Sequence, residues 1–171
     1  RSLIEALGYI QRFNEKIVVV KVGGSFMDSE AEFHKVLTDV VFMHAVGMRP
    51  IVVHGCCKAI TDARKAAGLQ AQFVHGRRFT DQRTLAIAEH VLCHDINGFI
   101  VSTINAMGGK AMPLTSLTST VLFAEKLFLT GDNNARVDIG QLGQVTWVNA
   151  PLPLALTQAD RFTLHARSLG V

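Results

Sequence analysis

Residues 17–22 read Ile-Val-Val-Val-Lys-Val and run directly into Gly23, Gly24 and Ser25. Five β-branched apolar residues in six is the composition of a strand buried on both faces of a parallel sheet, so this stretch points to an α/β fold. Lys21 is the exception. A lysine near the end of a buried strand is costly unless its ammonium reaches the sheet edge, where it either meets solvent or finds an anion. The glycines that follow let backbone N–H groups turn toward a negative ligand without interference from a Cβ. The segment therefore predicts a strand that ends in an anion site, with a lysine snorkelling to water as the plainer alternative.

The chain around it alternates in the way such a sheet requires. Residues 2–13 carry apolar side chains at a loose helical period and predict a short arm helix packed on this chain or on a neighbour. Ser29 and Glu32 form a capping-box pattern ahead of the stripe Phe33, Val36, Leu37, Val40, Met43 and Val46, which stops at Gly47. Pro50 to His54 predicts the second buried strand, and Gly55, Cys56, Cys57 and Lys58 turn into a small-residue helix over 59–67, closed by Gly68. Strand, helix, strand, helix is a βαβ unit with a right-handed crossover, so the turns after Val22 and after His54 should face one crevice at the carboxyl ends of their strands.

Residues 71–80 predict a short hairpin around Gly76. Thr80 is the expected cap of the longest helix, running to Gly108 and Gly109, with Asp81 an acid in its first turn. Strands are expected over 111–114, 120–124 and 144–148, the last two flanking a polar turn at 131–134, then a short helix from Pro151 and a strand over 162–165. The expected architecture is an open, mainly parallel sheet sandwiched by helices, with an antiparallel hairpin extension.

Composition removes several function classes. An apolar share of 49% with 18% charged residues over 171 positions is that of one globular domain, and no apolar run approaches the roughly 18 residues of a membrane span. No signal-peptide pattern opens the chain, so a cytoplasmic protein with no membrane association is expected. The net charge of +3 is spread along the sequence and only one Trp and one Tyr accompany it, which argues against nucleic-acid binding. Cys56, Cys57 and Cys93 are an odd count and form no disulfide framework.

Four segments, taken together, resemble a known family. Val20-Lys21-Val22-Gly23-Gly24-Ser25, Val52-Val53-His54-Gly55, Gly76-Arg77-Arg78-Phe79-Thr80-Asp81 and Gly140-Gln141-Leu142-Gly143-Gln144-Val145-Thr146 occur in the order and spacing of the N-acetylglutamate kinases, within the amino acid kinase family. Glu5-Ala6-Leu7-Gly8-Tyr9-Ile10 is similar to the N-terminal helix of their longer, hexameric members. The resemblance implies ATP-dependent phosphorylation of the γ-carboxylate of N-acetyl-L-glutamate in arginine biosynthesis, with ATP as co-substrate and Mg²⁺ as its metal. It gives Lys21 the catalytic role of stabilising the phosphoryl group in transfer and makes Gly23 and Gly24 backbone donors to it. The turn Gly55-Cys56-Cys57 is implied to cradle the acylglutamate, and Arg78 to grip its carboxylate. A planar guanidinium suits that task, and Arg77 is its rival.

Two departures from the family pattern carry consequences. The family reads His-Gly-Gly-Gly where this chain has His54-Gly55-Cys56-Cys57, so a side chain stands at two positions expected to touch substrate. A positive φ there would cost about 1–2 kcal/mol. The nucleotide-binding half implied by the resemblance lies beyond Val171, which gives an expected division into an arm helix at 1–15 and a truncated acylglutamate-binding domain at 16–171. The expected partners are N-acetyl-L-glutamate, ATP and further copies of the chain in a homo-oligomer. A catalytically silent acylglutamate-binding or oligomerisation module is the alternative reading. Metal binding by Cys56, Cys57, His54 and His75 is the weaker explanation of those residues, because vicinal side chains rarely converge on one ion. His90, Cys93 and His94 lie on one helical face at a spacing that can bind metal, but the helix lacks the glutamate between the histidines that a metalloprotease needs, and the ligand reading is again the weaker one. Gly108-Gly109-Lys110 follows a helix and is read as its stop, not as a phosphate loop.

Overall fold

The computed structural model describes residues 2–23, 29–55, 57–70, 72–74, 77–130, 134–159 and 162–166, with the backbone alone for Ser2, Leu3, Cys57, Arg77, Arg78 and 162–166. The sheet grows from two strands of the same βαβ unit. β1 (Ile17–Val22) and β2 (Arg49–His54) are parallel neighbours, paired from Ile17 opposite Arg49 to Val22 opposite His54. Between them runs α2 (Glu30–Ala45). Its first turn is held by Ser29, whose hydroxyl accepts from the Glu32 N–H at 3.4 Å. The Glu32 carboxylate pairs with Lys35 at 2.7 Å, so this is an ordinary N-cap rather than the reciprocal box the sequence suggests.

The other two strands come from far along the chain. β5 (Ala111–Leu114) and β8 (Phe162–Ala166) are parallel to each other and to the first pair, and the order across the sheet is β1-β2-β8-β5. The last strand thus enters between elements formed more than fifty residues earlier in sequence (Ile51 opposite Thr163, Met112 opposite Thr163). No local pattern encodes that insertion. α6 (Pro151–Gln158), which precedes β8, packs on β2 and β8.

One correction concerns β1. Its residues alternate, with Ile17 40% and Val19 63% exposed while Val22 is 2% exposed. β1 lies at the edge of the four-stranded sheet, and helices cover only the face that Val18, Val20 and Val22 present. Val20, Val22 and Val52 meet Phe33, Leu37 and Val40 of α2 and Ile100 and Ile104 of α5 (Asn97–Ala106). Burying each such side chain contributes about 1.5–3 kcal/mol.

Helix 82–106 is one continuous rod in three parts. α4 (Gln82–Glu89) passes into a π-helical segment, His90–Ile96, and then into α5. Its cap is Asp81, whose carboxylate accepts from the Thr84 N–H at 2.7 Å. Thr80, expected in that role, is instead 2% exposed and bridged to Gly140. Asp81 takes the cap because an ionised acceptor at the helix N-terminus is favoured by the dipole as well as by the bond. At the other end Gly108 adopts φ +85° and Gly109 N–H returns to the Ile104 carbonyl at 2.9 Å. Gly108-Gly109 is therefore the helix stop read from the sequence.

α3 (Cys57–Ala66) packs Ile60 against Ala88, Val91 and Leu92 of the long helix in a second apolar cluster. β3 (Phe73–Val74) and β4 (Arg77–Arg78) form the small antiparallel hairpin. β6 (Leu122–Thr130) and β7 (Arg136–Val148) form a second one, much longer than the strands expected at 120–124 and 144–148. Its length was hidden by charged residues such as Lys126 and Asp138, which pair across the strands at 2.8 Å instead of signalling a loop. α1 (Ser2–Phe13) opens the chain as expected. Among the described residues no helix is long and apolar enough to cross a membrane.

Candidate functional site

The carboxyl edge of the sheet brings two of the expected elements side by side. Val22 lies opposite His54, so Gly23 and Gly55 leave adjacent strands at the same level. α3 begins two residues later with its N-terminal N–H groups near that edge. A helix N-terminus carries partial positive charge and favours an anion.

Lys21 stands on the face of β1 turned away from the α2–α5 core, in the same row as Ile17 and Val19, and is exposed. Its ammonium forms no ion pair or hydrogen bond among the described residues. Lys35, Lys58 and Lys126, by contrast, each hold a carboxylate at 2.7–3.1 Å. Gly23 is equally informative. Among the described residues a Cβ built on it would meet no heavy atom within 4 Å, and its φ lies outside the left-handed region. Among the described residues neither packing nor backbone conformation calls for glycine there.

Cys57 is the first residue of α3 and has a helical backbone; positive φ among non-glycine residues is confined to Glu15 and Asn134 in the described chain. The strain expected of a Cβ at this position is therefore absent, because the turn has already become helix. Gly24 and Cys56 fall outside the described residues, as does His75. Arg78 is on β4, opposite Phe73, in a two-stranded sheet separate from the main one, and its side chain also lies outside what is described.

Behind the edge is a pair that the sequence reading did not single out. Asn97, at the start of α5, places Nδ2 3.1 Å from Nε2 of His54, and the two residues are 0% and 1% exposed. The signal available in the sequence was a polar residue set among Leu92, Ile96, Ile100 and Ile104 on an apolar helix stripe.

The histidine and cysteine cluster of the π-helical segment does not converge on a point. His90 Nε2 is 3.6 Å from the Asp95 carboxylate, and Cys93 Sγ is 3.8 Å from the Ser116 hydroxyl, which in turn donates to Glu89. Among the described residues no three His, Cys, Asp or Glu side chains could hold a metal ion. Two carboxylates are held below their ordinary range. Asp81 is lowered by its side-chain and backbone hydrogen bonds to Thr84, with Arg64 adding a smaller attraction. Asp138 is lowered by Lys126 and by the Gly140 N–H. Both are structural groups on the approach to the hairpin, not members of the edge site.

Known proteins are similar to this chain in sequence and in fold. The chain is 41% identical to the acetylglutamate kinase of Chromobacterium violaceum over 169 residues, 99% of this chain and 58% of that protein. It is 40% identical to the acetylglutamate kinase of Stutzerimonas stutzeri, covering 94% of this chain and 55% of the relative, and 40% identical to that of Methanocorpusculum labreanum, covering 92% and 55%. The chain thus spans little more than half the length of these curated relatives. Among solved structures, the N-acetylglutamate synthase from Neisseria gonorrhoeae in complex with coenzyme A and N-acetyl-glutamate superposes with a TM-score of 0.76 at 15% identity, over 95% of this chain and 36% of that one. The protein smu.665 from Streptococcus mutans gives 0.70 at 19% identity, over 87% and 57%. At such identities these two likenesses speak for the fold alone. With residues 16–152 matching the amino acid kinase family and its parallel sheet carrying the lysine-glycine edge, the chain belongs to that family.

Proposed function

We propose that the chain forms the acylglutamate-binding part of an N-acetylglutamate kinase, which transfers the γ-phosphoryl group of ATP to the γ-carboxylate of N-acetyl-L-glutamate in cytoplasmic arginine biosynthesis. The observation that carries this reading is the register of β1 and β2, which sets Gly23 and Gly55 side by side at the edge where Lys21 is unpaired. The relatives named above, at about 40% identity, support the same substrate.

Phosphoryl transfer asks a protein chiefly to position two anions and to neutralise charge spread over the equatorial oxygens. In this reading Lys21 supplies the charge, and Gly23 and Gly24 bring backbone N–H groups close. Gly55, Cys56 and Cys57 line the acylglutamate, with Arg78 on its carboxylate. The described residues offer no three-ligand cage for Mg²⁺; the ion would travel on the nucleotide's phosphates. Residues 1–15 serve as an arm and 16–171 as the binding body.

A homo-oligomer belongs to the same proposal. α1 makes no extensive packing contact with another element among the described residues, and Ile4, Leu7 and Tyr9 are 79%, 49% and 68% exposed. A lone helix of 12 residues is marginal in water. A second copy docked on its apolar side would supply what the body does not.

The test is a coupled assay of ADP release with calorimetry in parallel. Release dependent on N-acetyl-L-glutamate and lowered at least about a hundredfold in Lys21→Met supports the kinase. Acylglutamate binding without turnover favours the silent module, and binding of neither ligand rejects both.

A further inference from the structure

His54 and Asn97 are the two most deeply buried polar side chains among the described residues, and they reach each other across 43 positions of sequence. Folding stability does not account for them. Two apolar residues of the same shape would fill this space with no polar group to satisfy, and the Asn97 carbonyl oxygen is buried without a hydrogen-bond partner. Asn97 also sits immediately after the π-helical segment, a rare geometry that gathers at functional sites. Two unfavourable features thus meet on one contact, and that contact ends on His54, the last residue of β2.

We propose that Asn97 is a positioning residue for the substrate turn. With Nδ2 as donor, Nε2 of His54 is the acceptor and the ring proton sits on Nδ1, so the bond fixes both the tautomer and the ring plane. A side chain held rigidly at the strand's end fixes the direction in which the backbone departs at Gly55 and enters α3 at Cys57. That direction determines where the N–H groups at the mouth of α3 point relative to Gly23. The effect on acylglutamate affinity rests on the function proposed above; the effect on the turn itself does not.

The experiment compares the whole protein with Asn97→Leu and with the double variant Asn97→Leu/His54→Leu. It reads melting temperature, calorimetric affinity for N-acetyl-L-glutamate, and ligand-free amide exchange at Gly55, Lys58 and Ala59. Asn97→Leu is expected to weaken binding roughly tenfold, about the worth of one hydrogen bond, and to speed exchange at those three amides more than elsewhere. The double variant should regain the melting temperature, because both polar partners are gone, while affinity and turn exchange stay impaired. Recovery of affinity together with melting temperature, or a uniform loss of protection with unchanged affinity, would overturn the proposal. Should Asn97→Leu not fold, Asn97→Ala removes the bond to His54 with no new acceptor in its place and carries the same reading. If the unaltered protein binds no N-acetyl-L-glutamate, the substrate assignment falls, and the exchange data alone decide for or against Asn97.

Discussion

Two glycines show how differently the same residue is used. Gly140 holds φ +84°, and a Cβ there would lie against the Thr80 backbone, 2.7 Å from its carbonyl carbon. Thr80 N–H bonds to Ile139, and Gln141 N–H returns to Thr80; this contact ties the β6–β7 hairpin to the segment entering α4. Gly140→Ala should therefore destabilise by about 2 kcal/mol or more in urea melts, from the left-handed backbone and the clash together. Gly23 has neither constraint, so Gly23→Ala should leave stability within about 0.5 kcal/mol of the parent while weakening acylglutamate or phosphate binding measured by calorimetry. Equal stability losses at both sites would remove the argument that Gly23 is kept for a ligand. The sequence supported the Gly23 reading, because a lysine and two glycines after a buried strand carry their chemistry locally. It was silent on Gly140, whose demand comes from a backbone sixty residues away.

At the level of elements, the helices were legible and the strand environments less so. α1 falls on residues 2–13 as its periodicity predicts, and α2 and α3 fall within two residues of theirs, since a 3.6-residue stripe and a cap are local signals. The burial of β1 was misjudged because an unbroken β-branched run says that a strand could be buried on both faces, not that something covers both. The N-cap of α4 was misjudged by one residue, and the difference matters for pH. Asp81 is lowered by Thr84, so the folded state binds its proton more weakly than the unfolded chain does. The stability it contributes is present above the ordinary aspartate range near 3.9 and is lost as pH falls through that range to the lower folded value. Asp81→Asn keeps an oxygen for the Thr84 N–H but removes the charge. Urea melts from pH 7 to pH 2.5 should show a lower plateau and a shallower acid limb for this variant. Asp138, lowered by Lys126 in the same window, leaves part of the slope in place. An acid limb identical to the parent's would show that the charge on Asp81 adds nothing beyond the cap.

Across the whole molecule, burial is uneven in a way that bears on assembly. The core lies on one side of the sheet, between β1 and β2 and the pair α2 and α5, while Ile17 and Val19 on the other face of β1 and the apolar residues of α1 stay open. β8 was legible as a strand but not as the central neighbour of β2 and β5, because parallel partners that far away in sequence leave no mark at short range. The exposed α1 gives the sharpest test at this scale. Ile4 and Leu7 are one helical turn apart, so charges placed at both, Ile4→Glu with Leu7→Glu, would spoil a docking stripe without touching the core. Light scattering should then report a smaller particle than the parent, while the melting temperature, governed by the α2–α5 core, changes little. Circular dichroism should lose about the signal of those 12 residues, because a helix this short depends on its partner for its own fold. If mass and helicity both stay unchanged, α1 is stable without a second copy and the homo-oligomer proposal loses its support.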